Sequence, residues 1–197
     1  MATPRVLVFD VNETLLDIES MAPLFDELFG DRRVLREWFN QLVLYSMTAT
    51  LSDSYVDFAT LAGGVLRMLA DIHHAHVTDD DVARLTVGMR TMPGYPDTVD
   101  GQFFEQRFTV DACQAFKPAP SIYRYVCREL DVAPADCLMV ASHVWDLLGA
   151  RNVGFGTALI TRPGNAPLPI DTLPQPDFVA RDLPELARLL HPAKGTN

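Results

Sequence analysis

Apolar and polar positions follow two different rhythms along this chain, and the change of rhythm divides it. Val6-Leu7-Val8-Phe9 is a short continuous apolar run that stops at Asp10. That is the pattern of a buried parallel strand with an acid at its carboxyl end. From about Ile18 to Met92 no strand-like run follows. Apolar residues recur there every three or four positions: Met21, Leu24, Phe25, Leu28; then Leu35, Trp38, Phe39, Leu42; then Phe58, Leu61, Val65, Leu66, Leu69. Thr78 and Asp81 have capping-box spacing and open one more helix, with Val82, Leu85 and Met89. The stretch predicts an all-helical block, ended by Pro93-Gly94-Tyr95-Pro96-Asp97.

Strand and helix patterns then alternate again. Phe108-Thr109-Val110 predicts a short strand. Pro118 and Pro120 introduce a helix with the stripe Ile122, Tyr123, Val126, Cys127 and Leu130, broken by Pro134. Cys137-Leu138-Met139-Val140-Ala141 predicts a strand, Trp145 to Ala150 a short helix, and Thr157-Ala158-Leu159-Ile160 another strand. A proline-rich loop runs from Pro163 to Pro176, and Asp182 and Glu185 cap a last helix with Leu186, Leu189 and Leu190. Apolar strands alternating with helices predict an α/β fold around a parallel sheet. Residues 1–17 and 93–197 form the predicted α/β core, and residues 18–92 an inserted helical domain.

The 197 residues, 48% of them hydrophobic, suffice for such a core and a smaller companion. A net charge of −10 argues against nucleic acid or an anionic membrane as partner. No apolar segment reaches the roughly 18 residues that span a bilayer. Met1-Ala2-Thr3-Pro4-Arg5 leads straight into the first strand without a signal-like apolar region. Cys113, Cys127 and Cys137 fit neither a disulfide framework nor a zinc site, so reduced thiols and a cytoplasmic location are expected.

The candidate chemistry lies in three segments. Asp10 follows the first strand, with Thr14 four residues on, and Lys117 and Asp146 stand in similar settings downstream. Taken singly, Asp10 reads as a helix cap, Lys117 as a solvated loop lysine and Asp146 as another cap. Taken jointly they read as a catalytic set at the carboxyl edge of a sheet, where open α/β folds bind ligands. His73, His74 and His76 have no zinc spacing, and Asp79-Asp80-Asp81 reads as charge at a helix N-terminus.

FDVNETLLD with Asp10 and Thr14, FKPAPSIY with Lys117 and Tyr123, and MVASHVWDLLGA with Ser142, Trp145 and Asp146 resemble, in that order, the haloacid dehalogenase superfamily and its type II 2-haloacid dehalogenase branch. The resemblance implies a Rossmann-like parallel-sheet core with an inserted all-helical cap domain. It implies a cytoplasmic hydrolase that uses no cofactor, acts on a small carboxylate substrate, and leaves a homodimer open. Asp10 would be the nucleophile and form a covalent ester. Lys117 would keep it ionised, Asp146 would orient Lys117, and Thr14 would hydrogen-bond the Asp10 carboxylate. Tyr123 would reach the substrate or Asp10, and Asn12, Gln41, Ser142 and His143 would line the substrate site.

Asn12 also bears on the reaction. Phosphatases of the superfamily place a second Asp there to protonate an alkoxide, which an amide cannot do; a halide leaves without a proton. The last motif offers a single acid, Asp146, where a hard cation needs more carboxylate oxygen, so no metal is expected. The alternatives are a magnesium-dependent phosphatase of the same superfamily and an inactive binding protein.

Three departures support the inactive alternative. Gln41 stands where the branch has an anion-binding Arg. Ala141-Ser142-His143 replaces Ser-Ser-Asn, which leaves His143 as either an acid/base or a substitute hydrogen-bond donor. Finally, the strand that should neighbour the first one has no residues. A helix–strand–helix crossover takes about 30 residues, and Gly101 is followed at once by Gln102. Residues are therefore expected to be missing between the cap and Phe103. A true deletion would leave the first strand as an edge.

Overall fold

A computed structural model describes residues 4–98 and 104–191. In chain order the elements are strand Val6–Phe9 (β1), helices Ala22–Phe29 (α1), Val34–Leu51 (α2), Phe58–His73 (α3), Asp79–Thr91 (α4) and Pro120–Leu130 (α5), strand Cys137–Ala141 (β2), helix Val144–Asn152 (α6), strands Gly156–Ile160 (β3) and Phe178–Ala180 (β4), and helix Leu183–Leu190 (α7). They fall into two compact units. One comprises Met1–Leu16, Gly94–Phe108 and Lys117–Asn197; the other comprises Asp17–Pro93 and Thr109–Phe116.

The first unit is built on a parallel sheet in the order β1-β2-β3-β4. β2 is buried along its whole length, as its unbroken apolar run requires. Successive side chains alternate faces. Leu138, Val140, Ala158, Ile160 and Ala180 share one face and bury Leu186 of α7. Helix α6 packs on β2 and β3, and α5 on α6. β4 is three residues long, too short for its alternation to be seen in the sequence.

β1 pairs with β2 in the register Phe9↔Val140. Among the described strands it has no second neighbour. Leu7 is exposed there, and Phe9 meets the Phe104 ring edge-on, with centroids 5.6 Å apart. The junction at Gly101–Gln102, where the crossover is expected, lies outside the described residues.

In the helical unit α1 to α4 bury one continuous apolar interior that includes Phe25, Leu35, Trp38, Leu42, Leu66, Leu69 and Leu85. The polar exceptions are matched. Trp38 Nε1 donates to Ala62 O at 3.0 Å, and the Thr78–Asp81 capping box forms in both directions.

The segment Phe108-Thr109-Val110 does not form the predicted strand. Val110–Cys113 is a 3-10 turn, and Thr109–Phe116 belongs to the helical unit. Side chains, not a sheet edge, satisfy it: the Tyr55 hydroxyl donates to the Asp111 carboxylate, and Phe116 N–H donates to Thr50 Oγ1 at 2.8 Å. The Phe116 ring stacks on Tyr55.

Candidate active site

The parallel register of β1 and β2 brings their carboxyl ends side by side. Asp10 N–H continues the ladder, donating to Val140 O at 3.0 Å, so Asp10 faces the residues that follow β2. The chain then turns tightly. Leu15 and Leu16 N–H both return to Val11 O, and Tyr95 N–H donates to Leu15 O. This turn carries Thr14 back under Asp10. Thr14 Oγ1 donates to Asp10 Oδ2 at 2.8 Å and itself accepts from Ser142 N–H at 2.9 Å.

Lys117 reaches the same point from the segment before α5. Its Nζ lies 2.9 Å from Asp10 Oδ1 and 2.7 Å from Asp146 Oδ2. Asp146, in the first turn of α6, is completely buried. Tyr123 on α5 donates to Asp146 Oδ1 at 2.6 Å. The approach of α5 to α6 depends on Gly149, because a Cβ there would stand 2.5 Å from the Tyr123 hydroxyl and 2.7 Å from Pro118 Cβ. The Asp10 carboxylate thus has each oxygen held by a different donor.

The charges follow from this placement. Burial alone would raise the Asp10 carboxyl, but the Lys117 ammonium and then His143 outweigh it and hold Asp10 well below the usual carboxylate range. Burial likewise works against the Lys117 charge, and the two carboxylates override it, so Lys117 stays protonated beyond its ordinary value. Asp146 is raised, first by burial and also by the Asp10 charge, with Lys117 opposing. Tyr123 is raised by burial and by Asp146, which keeps its hydroxyl a donor.

The remaining expected residues divide. Tyr123 spends its hydroxyl on Asp146 and is buried, so it positions Asp146 where a contact with substrate or Asp10 was expected. Ser142 is buried, and its Oγ donates to Glu13 O at 3.2 Å. Asn12 is half-buried in the turn, bridged to Leu16. Gln41 is half-buried on α2 in the helical unit, and its part in binding rests on the resemblance alone. His143 Nδ1 lies 3.7 Å from Asp10 Oδ2. Among the described residues no group of three or more His, Cys, Asp or Glu is arranged to hold a metal ion. Lys117 Nζ takes the place between the two carboxylates.

Two site residues escape the sequence reading. Glu13 is buried, and its Oε2 lies 2.7 Å from His143 Nε2. Arg162 is also buried. Its Nε donates to Thr14 O at 3.0 Å, its Nη1 lies 2.8 Å from Asp97 Oδ1, and its guanidinium covers the Tyr95 ring. Arg162 follows the apolar strand β3 as Asp10 follows β1, a signal that could have found it. Glu13 carried no such signal, because its partner is 130 positions away.

Known proteins share this architecture. A profile described as "Hydrolase: haloacid dehalogenase-like hydrolase" matches residues 51–154. The chain is 27% identical to (S)-2-haloacid dehalogenase 1 of Pseudomonas sp. (strain CBS-3), with 94% of this chain and 96% of that protein covered. It is also 27% identical to (S)-2-haloacid dehalogenase 4A of Burkholderia cepacia, over 83% of this chain and 85% of that one. A crystal structure of a dehalogenase superposes with a TM-score of 0.86 at 27% identity, covering 99% of this chain and 100% of that chain. The Pseudomonas alignment runs to 220 positions while using 94% of these 197 residues, about 185, so about 35 positions lie opposite a gap. That deficit is the size of one helix–strand–helix crossover.

Proposed function

Since the chain belongs to the haloacid dehalogenase-like hydrolase family, we propose that it cleaves the carbon–halogen bond of a small 2-haloalkanoic acid through an ester on Asp10. The observation that carries this reading is the state of Asp10: a buried carboxylate kept ionised by Lys117 and oriented by Thr14. An ionised carboxylate fixed at the carboxyl edge of the sheet is a competent nucleophile toward carbon. The Asp10 oxygen forms a bond to C2, and the halide departs with the bonding pair. Water then attacks the ester carbonyl at Cγ and releases the 2-hydroxy acid, restoring Asp10.

The other residues serve that sequence. Lys117 supplies the positive charge that opposes protonation of Asp10, and Asp146, held by Tyr123, keeps Lys117 in place. Thr14, fixed by Ser142 N–H, locks the carboxylate rotamer. Asn12 contacts the substrate and has no proton to give an alkoxide, which favours halide over phosphate esters. The curated relatives named above carry the same activity in their names. The three free cysteines support a cytosolic setting. Among the described residues no helix is long and apolar enough to cross a membrane.

The experiment is a paired assay of the purified protein. Chloride and 2-hydroxy acid release from 2-chloropropionate is measured with and without EDTA, beside phosphate release from p-nitrophenyl phosphate with and without Mg²⁺. Halide release indifferent to EDTA is expected. Phosphate release that needs Mg²⁺, with no halide released, would assign the phosphatase reaction instead.

A further inference from the structure

Arg162 is a buried cation that the proposed chemistry leaves unused. It is 6% exposed and stands directly after β3. A guanidinium that deep is costly unless its donors are met. Its arms run in two directions. Nη1 lies 2.8 Å from Asp97 Oδ1, and Asp97 Oδ2 accepts from Leu183 N–H at 2.9 Å, so this anchor is pinned to the start of α7. Nε donates to Thr14 O at 3.0 Å, and the guanidinium carbon lies 4.2 Å from the centre of the Tyr95 ring. An ion pair with Asp97 does not require the second direction. That direction ends on the main-chain oxygen of the residue whose hydroxyl orients the nucleophile.

Thr14 needs such a hold. Glu13, just before it, sits at φ 60°, the left-handed region that a side chain with a Cβ disfavours and that persists where the surroundings fix it. Two bonds from outside the turn grip this pair: Ser142 Oγ donates to Glu13 O at 3.2 Å, and Arg162 Nε donates to Thr14 O. Thr14 is completely buried, and its Oγ1 serves both Asp10 Oδ2 and Ser142 N–H. Both contacts depend on the Thr14 main chain staying in place. We propose that Arg162 is a positioning residue for the nucleophile, its fork tying the Thr14 main chain to the Asp97 anchor and so fixing the Thr14 hydroxyl on Asp10. The inference rests on the dehalogenase reading above. It also accounts for an arginine here. A lysine keeps the charge toward Asp97 but has one nitrogen in place of the planar fork, and it cannot serve both directions. A carboxylate that swings out of line loses rate in the chemical step, not substrate affinity.

Single-turnover halide release, with protein in excess over 2-chloropropionate, tests the role in Arg162→Lys. A residue that only stabilises the fold changes the fraction of competent protein, which a rate constant at saturation does not register. Arg162→Lys is expected to slow that rate constant about tenfold, the scale of one hydrogen bond, with the half-saturating concentration unchanged. In a Thr14→Val background the same substitution should cost less than about twofold, because the hydroxyl that it positions is already gone. An equal loss in both backgrounds, or a loss confined to half-saturation, would overturn the role. A substrate-free measurement separates the two readings. Three-bond NMR couplings to the Thr14 methyl report its χ1, which should be one staggered rotamer in the parent and averaged in Arg162→Lys. An unaveraged rotamer refutes the positioning role whatever the substrate. Averaging in a chain whose parent releases no halide from any haloacid refutes the substrate reading and leaves the positioning role established. If Arg162→Lys does not fold, Tyr95→Leu carries the same tests. It removes the ring beneath the guanidinium and should act in the same direction at about threefold; an unchanged rate constant and rotamer there would overturn the role.

Discussion

The helical unit keeps its charges outside. Arg84 pairs with Glu27, Arg33 with Asp31 and Arg67 with Asp79, all through largely exposed side chains, over an interior of Phe25, Leu35, Trp38, Leu42, Leu66 and Leu69. The α/β unit does the reverse at one edge of its sheet, where the buried Asp10, Glu13, His143, Asp146 and Arg162 gather with the half-buried Lys117. Both units bury apolar surface, which drives folding without selecting a reaction. Burying several ions together is expensive and does not by itself argue for stability. The contrast is where the proposed chemistry would sit: the α/β unit buries charges at the strand ends, and the helical unit buries none among the described residues.

Four substitutions or conditions probe that contrast, from largest to smallest effect. Asp10→Asn keeps the shape and loses the nucleophile, so turnover should drop at least about 1,000-fold with an unchanged circular dichroism spectrum. Most activity surviving in that variant, with deamidation excluded by mass spectrometry, would end the ester scheme. Lys117→Met leaves two buried carboxylates without their cation and should cost about 3 kcal/mol in urea unfolding at pH 7. A variant as stable as the parent would mean the cluster is hydrated and the contrast between units is false.

The third probe is pH. His143 has a folded pKa near 9, above its ordinary 6.5. Its contribution is complete below pH 6.5 and is lost as pH rises through about 9. The urea midpoint should therefore fall across that window, and His143→Asn should flatten the fall. Asp10 works in the opposite direction, its contribution disappearing as pH drops below the ordinary 3.8. The smallest effect is expected from Arg84→Gln in the helical unit, which removes an exposed pair and should leave the melting temperature where it is. A clear drop there would show that the surface ions of this unit also bear load.

Asp10 and Asp146 were legible as candidates because each comes after an apolar run that forms a strand of the sheet, and Thr14 by its place four residues after Asp10; Lys117 was legible only through its motif, since the strand expected before it does not form. The four helices of the helical unit were legible because their period of three to four is long and uninterrupted. Glu13 was hidden, since a polar residue beside Asn12 in a turn looks solvated until His143 is folded onto it from 130 positions away. Tyr123 was expected to reach the substrate or Asp10, and its hydroxyl donates to Asp146, because helical spacing puts it on the buried face of α5 without saying that Gly149 lets it approach α6. Phe108-Thr109-Val110 looked like a strand by composition, yet among the described residues no strand pairs with it, and Thr50 and Tyr55 hold Phe116 and Asp111 just beyond it. The expectation of a missing crossover came from spacing, and its junction at Gly101–Gln102 lies outside the described residues.

The central claim is that Asp10 becomes an ester and that water attacks its carbonyl, not the substrate carbon. One turnover in H₂¹⁸O, with protein in excess over 2-chloropropionate, measures this directly. The account predicts heavy oxygen in the peptide carrying Asp10 and none in the first 2-hydroxy acid released. Heavy oxygen in the hydroxy acid, with Asp10 unlabelled, would mean that water displaces the halide itself and would contradict the account.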